Sequence, residues 1–557
     1  MSSLATGIEF IWAFVLMLGV LITVHEFGHF IVAKWCGVKV LKFSIGIGPA
    51  IGFGRYRLRW VRGETEYVIA WLPLGGFVKM LGEDPDETAA GHTQEDWGRS
   101  LPAQPLWQKL AVVLAGPAMN LVLPVFVVVG FLWVGNEVPT SVVGSVDPGS
   151  PAAIAGLEPD DRIVSIDGEP TKWWGDVASV VASGAGRTVS LEVERGDARL
   201  EKTIEIVSRD RLDGFRTQAE RGWIGIHTTR QRPVVGVVSL TSPAAAAGLR
   251  SGDRVVQLGD TKVEDWPDFA RAYERATQAA RVRVARGPED EATEVELTLP
   301  ALGSVDRFGV IPAAVLIEEV IADSAAAGAG LERGDLIVAV DGEPVASFAT
   351  FLETVLASGG RPLSVQYARD GETLVVRLSP ELQIEDSRGM EEEVYRVGIK
   401  AAQTMLPGDL ALERYTDPRE SFPRAVKRVA SFTVFMVEAY GRLFSGSMSR
   451  KNLGGPIAIA RQSHQAFEAG WQQFLSLLIG ISVNLAVLNM LPIPILDGGQ
   501  ALLFLIEGVK RGAVSVRTRE IAQITGLLMI VSLMGLAFWN DVSKYWTSFV
   551  DWLAGLV

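Results

Sequence analysis

The run HEFGH at residues 25–29 places two imidazoles and a carboxylate inside a stretch that is otherwise apolar. On a helix, residues four apart share one face, so His25 and His29 can bind a single metal ion. Glu26 then lies beside that ion, where it can take a proton from a water molecule that the metal activates. Charged side chains deep in a bilayer cost about 2.5–3.5 kcal/mol each on insertion scales, so their presence there indicates a function.

The element that holds these residues is a long apolar helix, because residues 10–33 contain no other ionisable group. Three further uncharged runs, at 110–134, 474–496 and 521–539, have the length of about 20 residues that a bilayer requires. Basic residues concentrate in the loop between the first two runs and in the loop between the last two, which predicts that both loops are cytoplasmic. We therefore predict a multi-span α-helical membrane protein with four transmembrane helices, and with both chain ends and the central region on the opposite side.

A fifth segment, at residues 424–444, has an uncharged core that is too short to span a bilayer. Its basic residues share one helical face, so we predict an amphipathic helix that lies in the membrane interface. If this segment spanned instead, the basic loop near residue 510 would fall outside the cytoplasm.

Composition excludes several classes of function. The 557 residues are 48% hydrophobic, and 65 acidic against 52 basic residues give a net charge of −13. Such a chain offers no broad basic surface, so we expect no nucleic-acid partner. Cys36 is the only cysteine, which excludes an intramolecular disulfide framework and a cysteine-rich zinc site. The amino terminus lacks the basic region and cleavage site of a signal peptide, so we expect the first helix to be retained.

A catalytic zinc ion needs a third protein ligand as well as an open position for water. Asp497 is the best candidate, because it follows the third apolar run and would lie at the same cytoplasmic end as His25. The alternative is an ordinary helix-terminal residue beside a Gly-Gly turn. Two prolines interrupt the same run, and a broken helix is tolerated at membrane depth only beside protein or water.

The central region contains three copies of one pattern, which start at Ser150, Ser242 and Ser324. Each copy is a run of small residues ending in Gly-Leu, followed by an acidic turn and a β-branched strand. The starts are 92 and 82 residues apart, so the copies are separate small domains and not solenoid repeats. The pattern resembles that of bacterial PDZ domains, and it predicts three inserted PDZ domains of the α+β class.

HEFGH in the first run, LDGG at residues 496–499 and PDZ-like units between them resemble the site-2 protease family of intramembrane metalloproteases. The resemblance covers nearly the whole chain, and it includes GGFVKM at 75–80 and AGPAMN at 115–120. It implies that a Zn²⁺ ion is bound by His25, His29 and Asp497. It also implies that Glu26 is the catalytic base.

By the same resemblance, Asn484 and Asn489 contact the substrate near the metal. The alternative from the residues alone is a hydrogen bond between helices, worth about 0.6 kcal/mol for each asparagine. Helix packing is as good an interpretation for Asn120. The chain departs from most relatives in having three PDZ units in place of two, and Gln500 stands where many relatives have His.

A helical substrate must unwind before cleavage, and pairing with a strand edge would keep its backbone groups hydrogen bonded. Residues 39–79 contain several glycines and then the β-rich run 67–71. We hypothesise that this hairpin dips into the membrane and pairs with the substrate around Val68 and Ile69. The alternative is a plain cytoplasmic loop with basic flanks.

The resemblance implies a zinc metalloendopeptidase of the bacterial inner membrane, with its PDZ domains in the periplasm. It would make the second cleavage of single-span proteins such as an anti-sigma factor in an envelope stress response, and also cleave remnant signal peptides. The PDZ domains would either bind peptides or envelope proteins, or form a filter that admits only trimmed substrates. The alternative function is a catalytically silent PDZ scaffold for envelope quality control.

The predicted organisation has nine segments. They are residues 1–35 for the first transmembrane helix with HExxH, 36–106 for the cytoplasmic membrane-associated β-loop region, 107–135 for the second helix, 136–230, 231–312 and 313–401 for the three PDZ domains, 402–470 for a linker and the interfacial helix, 471–497 for the third helix with LDGG, and 520–540 for the fourth helix.

Overall fold

The structure is a computed structural model of the chain, and it describes residues 2–52, 56–82, 96, 98–212, 218–287, 291–345, 347–387, 390–446, 455–512 and 514–554. The chain divides into two units. Residues 1–135, 385–392 and 414–557 form the first unit, and residues 136–384 and 393–413 form the second.

Helices dominate the first unit, and short strands dominate the second. In chain order the helices are α1 (Ser2–Trp35), α2 (Leu106–Val134), α3 (Pro151–Ile154), α4 (Trp174–Ser183), α5 (Pro243–Ala246), α6 (Trp266–Arg275), α7 (Val305–Phe308), α8 (Ala325–Gly328), α9 (Phe348–Ala357), α10 (Pro418–Ser445), α11 (Pro456–Glu468), α12 (Trp471–Asn489), α13 (Asp497–Lys510) and α14 (Val516–Ala554).

The strands follow the same numbering convention. They are β1 (Val40–Ala50), β2 (Arg59–Arg62), β3 (Thr65–Met80), β4 (Asn136–Pro139), β5 (Ser145–Val146), β6 (Arg162–Ile166), β7 (Glu169–Pro170), β8 (Thr188–Arg195), β9 (Ala198–Glu205), β10 (Val207–Leu212), β11 (Gln218–Trp223), β12 (Ile226–His227), β13 (Arg230–Gln231), β14 (Val235–Val237), β15 (Arg254–Leu258), β16 (Thr261–Lys262), β17 (Ala280–Arg286), β18 (Thr293–Leu299), β19 (Val310–Pro312), β20 (Val315–Val320), β21 (Leu336–Val340), β22 (Glu343–Pro344), β23 (Leu363–Arg369), β24 (Glu372–Leu378), β25 (Glu381–Ser387), β26 (Met390–Arg396), β27 (Ile399–Ala401), β28 (Met405–Leu406) and β29 (Leu410–Glu413).

Four helical segments among the described residues are long and apolar enough to cross a membrane, as the sequence predicts. They are Trp12–Trp35, Leu106–Val134, Trp471–Asn489 and Arg517–Val542, which lie in α1, α2, α12 and α14. Helix α10 is not one of them, and its buried residues Ser421, Ala425 and Val429 recur every fourth position on one face. This spacing is that of an amphipathic helix, also as predicted.

The third apolar run does not remain helical to residue 496. Helix α12 ends at Asn489, and α13 begins at Asp497 after an irregular connection that contains both prolines. The connection is tight, because a Cβ atom on Gly498 would lie 2.3 Å from the backbone oxygen of Met490. Asp497 therefore opens a new helix. Helix α13 lies where a loop between the last two apolar runs was predicted, so that prediction is wrong for residues 497–510.

Strand β3 folds back around β1, so the sheet of the first unit has a different edge from the predicted one. Its first half pairs with both β2 and β1, and its second half pairs with the opposite side of β1. Val68 has Ser44 on one side and Arg59 on the other. The expectation that Val68 and Ile69 lie on an open edge is therefore wrong. Among the described strands, the second half of β3, residues 75–80, pairs only with β1.

An ion network attaches this sheet to the end of α1. The ammonium of Lys34 lies 3.0 Å from Glu64, and the guanidinium of Arg99 donates two hydrogen bonds of 2.8 Å to the same carboxylate. The Arg99 hydrogen bonds and the Lys34 charge lower the pKa of Glu64 to about 2. The carboxylate thus stays ionised near neutral pH, and its contribution to stability is lost only as the pH falls from the unfolded-state pKa toward 2.

A buried carboxylate joins α14 to α11. Asp541 is fully buried, and it accepts hydrogen bonds from the backbone N–H groups of Gly455, Ile457 and Ala458 at 3.0, 2.9 and 3.2 Å. These N–H groups belong to the amino-terminal end of α11, which has no partners for them within its own helix. The carboxylate satisfies them and is favoured by the helix dipole.

The second unit contains three modules that share the order opening strand, short helix, strand, short strand, helix and two further strands, in agreement with the repeats in the sequence. Before the closing strand, the first and third modules have a hairpin and the second has the short helix α7. The first short helix of each module has a capping serine, Ser150, Ser242 or Ser324, which accepts a hydrogen bond from a backbone N–H three residues later. In each module the closing strand pairs antiparallel with the opening strand.

One buried ion pair recurs at the same place in every module. Its aspartate is at most 1% exposed, and the arginine donates two hydrogen bonds to the carboxylate and one to a glycine carbonyl. A buried charge is tolerated when it has an ionic partner and when the polar groups of the pair are hydrogen bonded. The two hydrogen bonds between arginine and aspartate, and the one from arginine to the glycine carbonyl, meet this requirement. The three sets are Arg195–Asp161–Gly156, Arg286–Asp253–Gly248 and Arg369–Asp335–Gly330.

The two ends of the second unit meet in a short ladder. Strand β4 pairs antiparallel with β29, from Asn136 opposite Glu413 to Pro139 opposite Leu410. Beyond the ladder, the backbone N–H of Thr140 donates to the carbonyl of Asp409 at 2.9 Å, and the Thr140 hydroxyl donates to the Asp409 carboxylate at 2.8 Å. All three modules lie between these two residues.

Candidate metal centre

Three ligand atoms from two helices converge in the first unit. His25 and His29 lie on one face of α1 and are 8% and 9% exposed, and Asp497 is the first residue of α13. The two Nε2 atoms are 3.3 Å apart. The Asp497 carboxylate lies 3.2 Å from Nε2 of His25 and 3.6 Å from Nε2 of His29.

This geometry fits a zinc ion. Ligand atoms held about 2.0–2.1 Å from a tetrahedral ion are about 3.3 Å from one another. The three observed separations, 3.2, 3.3 and 3.6 Å, lie close to that value, and the two that involve Asp497 are measured to different oxygens of its carboxylate. Two imidazoles and a carboxylate form the ligand set of catalytic zinc, which leaves a fourth position open for water or substrate.

Helix α2 leaves room for the metal because it has a glycine opposite both histidines. A Cβ atom on Gly116 would lie 2.2 Å from Nε2 of His29 and 2.8 Å from Cε1 of His25. A Cβ atom on Gly28 would lie 2.4 Å from the backbone oxygen of Ala115, so the two helices touch there. Gly116 belongs to the AGPAMN segment named above, but no role was predicted for it. The available signal was its place inside an apolar helix, where glycine costs about 1 kcal/mol relative to alanine and therefore needs a reason.

The other nitrogen of each histidine also has a partner. Nδ1 of His29 lies 2.8 Å from the carbonyl oxygen of Val112, so it carries the proton and donates it. That tautomer leaves Nε2 unprotonated and available as a ligand. Nδ1 of His25 lies 3.1 Å from the side-chain amide of Asn120.

Glu26 lies between α1 and the second half of β3. A Cβ atom on Gly76 would lie 3.1 Å from Cγ of Glu26, and the backbone N–H of Val78 interacts with the Glu26 carboxylate. The carboxylate is next to the three ligand residues without being one of them. It is therefore placed to exchange protons with a water molecule or a peptide bound at the centre.

The two candidate substrate-binding asparagines have different surroundings. Nδ2 of Asn489 lies 3.5 Å from Nε2 of His25, at the margin of the centre. The side-chain oxygen of Asn484 accepts a hydrogen bond from the hydroxyl of Tyr440 on α10. The contact of Asn484 is the one expected of a hydrogen bond between helices, whereas Asn489 is close enough to reach a ligand of the metal.

A metal site made by an HExxH helix and a second carboxylate, with its glutamate free, is that of a metallopeptidase. Here the helix that carries HExxH is of membrane-spanning length. The family model described as peptidase family M50 matches residues 13–533. The chain belongs to this family, the site-2 proteases, and is a zinc metalloprotease.

Relatives match the chain over most of its length. The regulator of sigma-E protease from Salmonella typhimurium is 31% identical over 538 residues, which cover 96% of this chain and 98% of the relative. The one from Escherichia coli is 30% identical over 546 residues, 96% of this chain and 100% of the relative. A protein from Ralstonia nicotianae whose name describes a zinc metalloprotease is also 30% identical, over 96% and 98% of the two chains.

Solved structures match shorter parts. A PDZ domain from Listeria monocytogenes matches 16% of this chain and 85% of its own, at 28% identity and a TM-score of 0.13. This score is too low to bear on the fold of the three modules.

Proposed function

We propose that this protein binds Zn²⁺ through His25, His29 and Asp497 and cleaves single-span membrane proteins within or next to their membrane segment, with Glu26 as the catalytic base. The observation that carries the proposal is the convergence of the three ligand atoms beside Glu26 in a unit whose helices are long enough to span a bilayer. Hydrolysis at this depth acts on peptide bonds that soluble proteases do not reach.

A bound zinc ion would polarise the substrate carbonyl and lower the pKa of water at the centre to about 7. Glu26 accepts the proton of the attacking water and delivers it to the nitrogen of the departing amine. The amide of Asn489, 3.5 Å from Nε2 of His25, would donate a hydrogen bond to the carbonyl oxygen of the substrate as negative charge develops on it.

The substrate would bind as an added strand along residues 75–80. An unwound segment exposes backbone groups that are costly to leave unpaired in a membrane, and an unpaired strand edge satisfies them. The second half of β3 offers such an edge directly beside Glu26, at Gly76 and Val78. This location replaces the one predicted at Val68 and Ile69.

The three modules would be PDZ domains in the periplasm, and the protein would reside in the bacterial inner membrane. The repeated sequence pattern and the shared order of elements support the PDZ assignment, and the basic cytoplasmic loops support the orientation. The module array would act as a filter that admits only substrates whose outer domain has been removed.

The substrates we infer are an anti-sigma factor, cleaved in a second step of an envelope stress response, and remnant signal peptides. The first inference follows the names of the relatives from Salmonella typhimurium and Escherichia coli, which are regulators of sigma-E. Both kinds of substrate are single helices with a short outer part, which is what a filter would admit.

The test is cleavage of a single-span reporter by the purified full chain in detergent, with Glu26→Gln as the matched variant. We expect cleavage by the native protein alone, lost on addition of a zinc chelator and restored by Zn²⁺. The variant should retain its zinc, because Glu26 is not a ligand, and should cleave at least about 10²-fold more slowly, the usual scale for loss of a general base. Equal cleavage by both proteins would contradict the role of Glu26. Absence of zinc from the native protein would favour the silent scaffold.

A further inference from the structure

Asn120 on α2 is fully buried, and its side-chain amide lies 3.1 Å from Nδ1 of His25. Its backbone is also held, since the hydroxyl of Ser482 on α12 donates to the Asn120 carbonyl oxygen at 2.7 Å. The amide itself lies at the nitrogen of His25 that does not face the other candidate ligands. Its role is not accounted for by the ligand set or by Glu26.

The hydrogen bond between Asn120 and His25 has only one direction that is compatible with metal binding. Nε2 of His25 faces Nε2 of His29 and the Asp497 carboxylate, so it must be the unprotonated, ligating nitrogen. Nδ1 then carries the proton and needs an acceptor, which in the Asn120 amide is the oxygen. A half-turn of the terminal amide group exchanges its oxygen and nitrogen and leaves the rest of the side chain in place. Asn120 can therefore present its oxygen to Nδ1 of His25 without any other change.

The buried amide is costly if its only role is packing. Within the described part of the chain, Oδ1 of Asn120 as placed has no hydrogen-bond partner, and after the exchange the same position holds Nδ2. A buried polar atom without a partner is destabilising, and an apolar residue of similar size would avoid that cost. The presence of an amide here is explained if it makes a hydrogen bond that an apolar side chain cannot make.

We propose that Asn120 is a positioning residue of the metal centre, whose side-chain oxygen accepts the Nδ1 proton of His25. It holds His25 in the tautomer and ring orientation that bind the metal, as the Val112 carbonyl does for His29. This inference rests on the proposed function and deepens it, because it assigns the group that makes His25 a ligand. Loss of such a partner behind a ligating histidine lowers metal affinity about 10–100-fold.

The experiment compares Asn120→Leu and Asn120→Asp in the full chain, purified in detergent and stripped of metal. Leu has nearly the shape of Asn but no acceptor, whereas Asp keeps an acceptor in the same place. Zn²⁺ dissociation constants are measured by competition with a chromophoric chelator, and the Co²⁺-loaded proteins are compared by visible absorption. Ser482→Ala is the matched control, since it removes a polar contact at Asn120 without touching the amide.

We expect Asn120→Leu to bind Zn²⁺ about 10–100-fold more weakly, with an altered Co²⁺ spectrum. Asn120→Asp should bind at least as tightly as the native chain, and Ser482→Ala should be unchanged. Native affinity and spectrum in Asn120→Leu would overturn the proposal and leave helix packing as the role. Equal losses in Asn120→Asp and Asn120→Leu would also overturn it, because the donor would then be the essential group.

Two further measurements separate failure of the Asn120 proposal from misfolding of the variant and from failure of the proposed function. Thermal unfolding of the metal-free proteins shows whether Asn120→Leu has folded, and Asn120→Met replaces it if it has not. If the native chain itself binds no zinc, the proposed function fails. If the native chain binds zinc and the leucine variant binds it equally well, only the role of Asn120 fails.

Discussion

Gly116 faces both histidines from α2, and its missing side chain leaves space beside the candidate ligand atoms. A methyl group there would overlap Nε2 of His29 at 2.2 Å and crowd Cε1 of His25 at 2.8 Å. The neighbouring atoms are imidazoles fixed by hydrogen bonds to Val112 and Asn120, so they have little freedom to yield. The ligand geometry therefore depends on a residue that contributes no ligand atom.

We expect Gly116→Ala to abolish zinc binding and cleavage while the helices remain folded. Gly130→Ala is the matched control, because it lies on the same helix with no atom within 4 Å of its Cβ position. The measurements are zinc per chain by mass spectrometry and helix content by circular dichroism. A Gly116→Ala protein with a full complement of zinc would contradict the described packing of α2 against α1.

Residue types and spacing predict part of this centre and miss the rest. HExxH can be recognised because the helix period fixes His25 and His29 on one face, and Asp497 because an acidic residue at the end of an apolar run is expensive. Gly116 and the amide of Asn120 act through contacts between distant parts of the chain. Nothing in the local pattern around either residue specifies what it faces.

At the scale of elements, the second half of β3 lies next to Glu26, and the strand-addition proposal depends on it. We expect Val78→Pro to block cleavage and to retain zinc, because proline removes the backbone N–H that lies beside Glu26. Val61→Pro on β2, at the opposite edge of the sheet, is the control and should still cleave. Cleavage of the reporter and zinc content are compared for both variants. Full activity of Val78→Pro would contradict binding along this strand.

The fold-back of β3 was not predictable from the run of β-rich residues. A period-two pattern indicates a strand, but it does not say which of two neighbours lies on each side. Gly75, whose φ of 145° is unfavourable for other residues, lies where β3 reverses. Helix α13 was missed for a similar reason, since it follows two prolines and has Gly498 and Gly499 in its first turn, a sequence that favours a loop.

At the scale of the whole molecule, the module array can be removed without opening the ladder that closes it. A short Gly–Ser linker from Thr140 to Asp409 would excise residues 141–408 and leave the β4–β29 pairing intact. If the array is a filter, the excised protein should cleave reporters that retain their outer domain, which the native protein rejects. Cleavage of trimmed reporters should be unchanged.

The comparison of trimmed and untrimmed reporters decides between the two proposed roles of the array. Rejection of untrimmed reporters by the excised protein, with normal cleavage of trimmed ones, would exclude the filter. Loss of cleavage of trimmed reporters would instead indicate that the modules deliver substrates or activate the enzyme.

The number of modules was predictable from the sequence because each copy repeats a local pattern. How the copies pack was not. The second and third modules share an apolar cluster that includes Val234, Ala313 and Leu336, while the first and second are joined through charges, with Asp160 at 2.7 Å from Arg230 and 3.1 Å from Arg271. The sequence pattern is the same in all three copies, so it carries no information about these differences.

The hydrogen bonds between Thr140 and Asp409 also bear on how such a protein can change over time. A segment whose entry and exit points touch behaves as a cassette, because its length can change without moving the residues that flank it. A third module could thus be gained, or a module lost, in one insertion or deletion that leaves the peptidase helices untouched. Selection can then adjust which proteins are admitted separately from how their peptide bonds are cut.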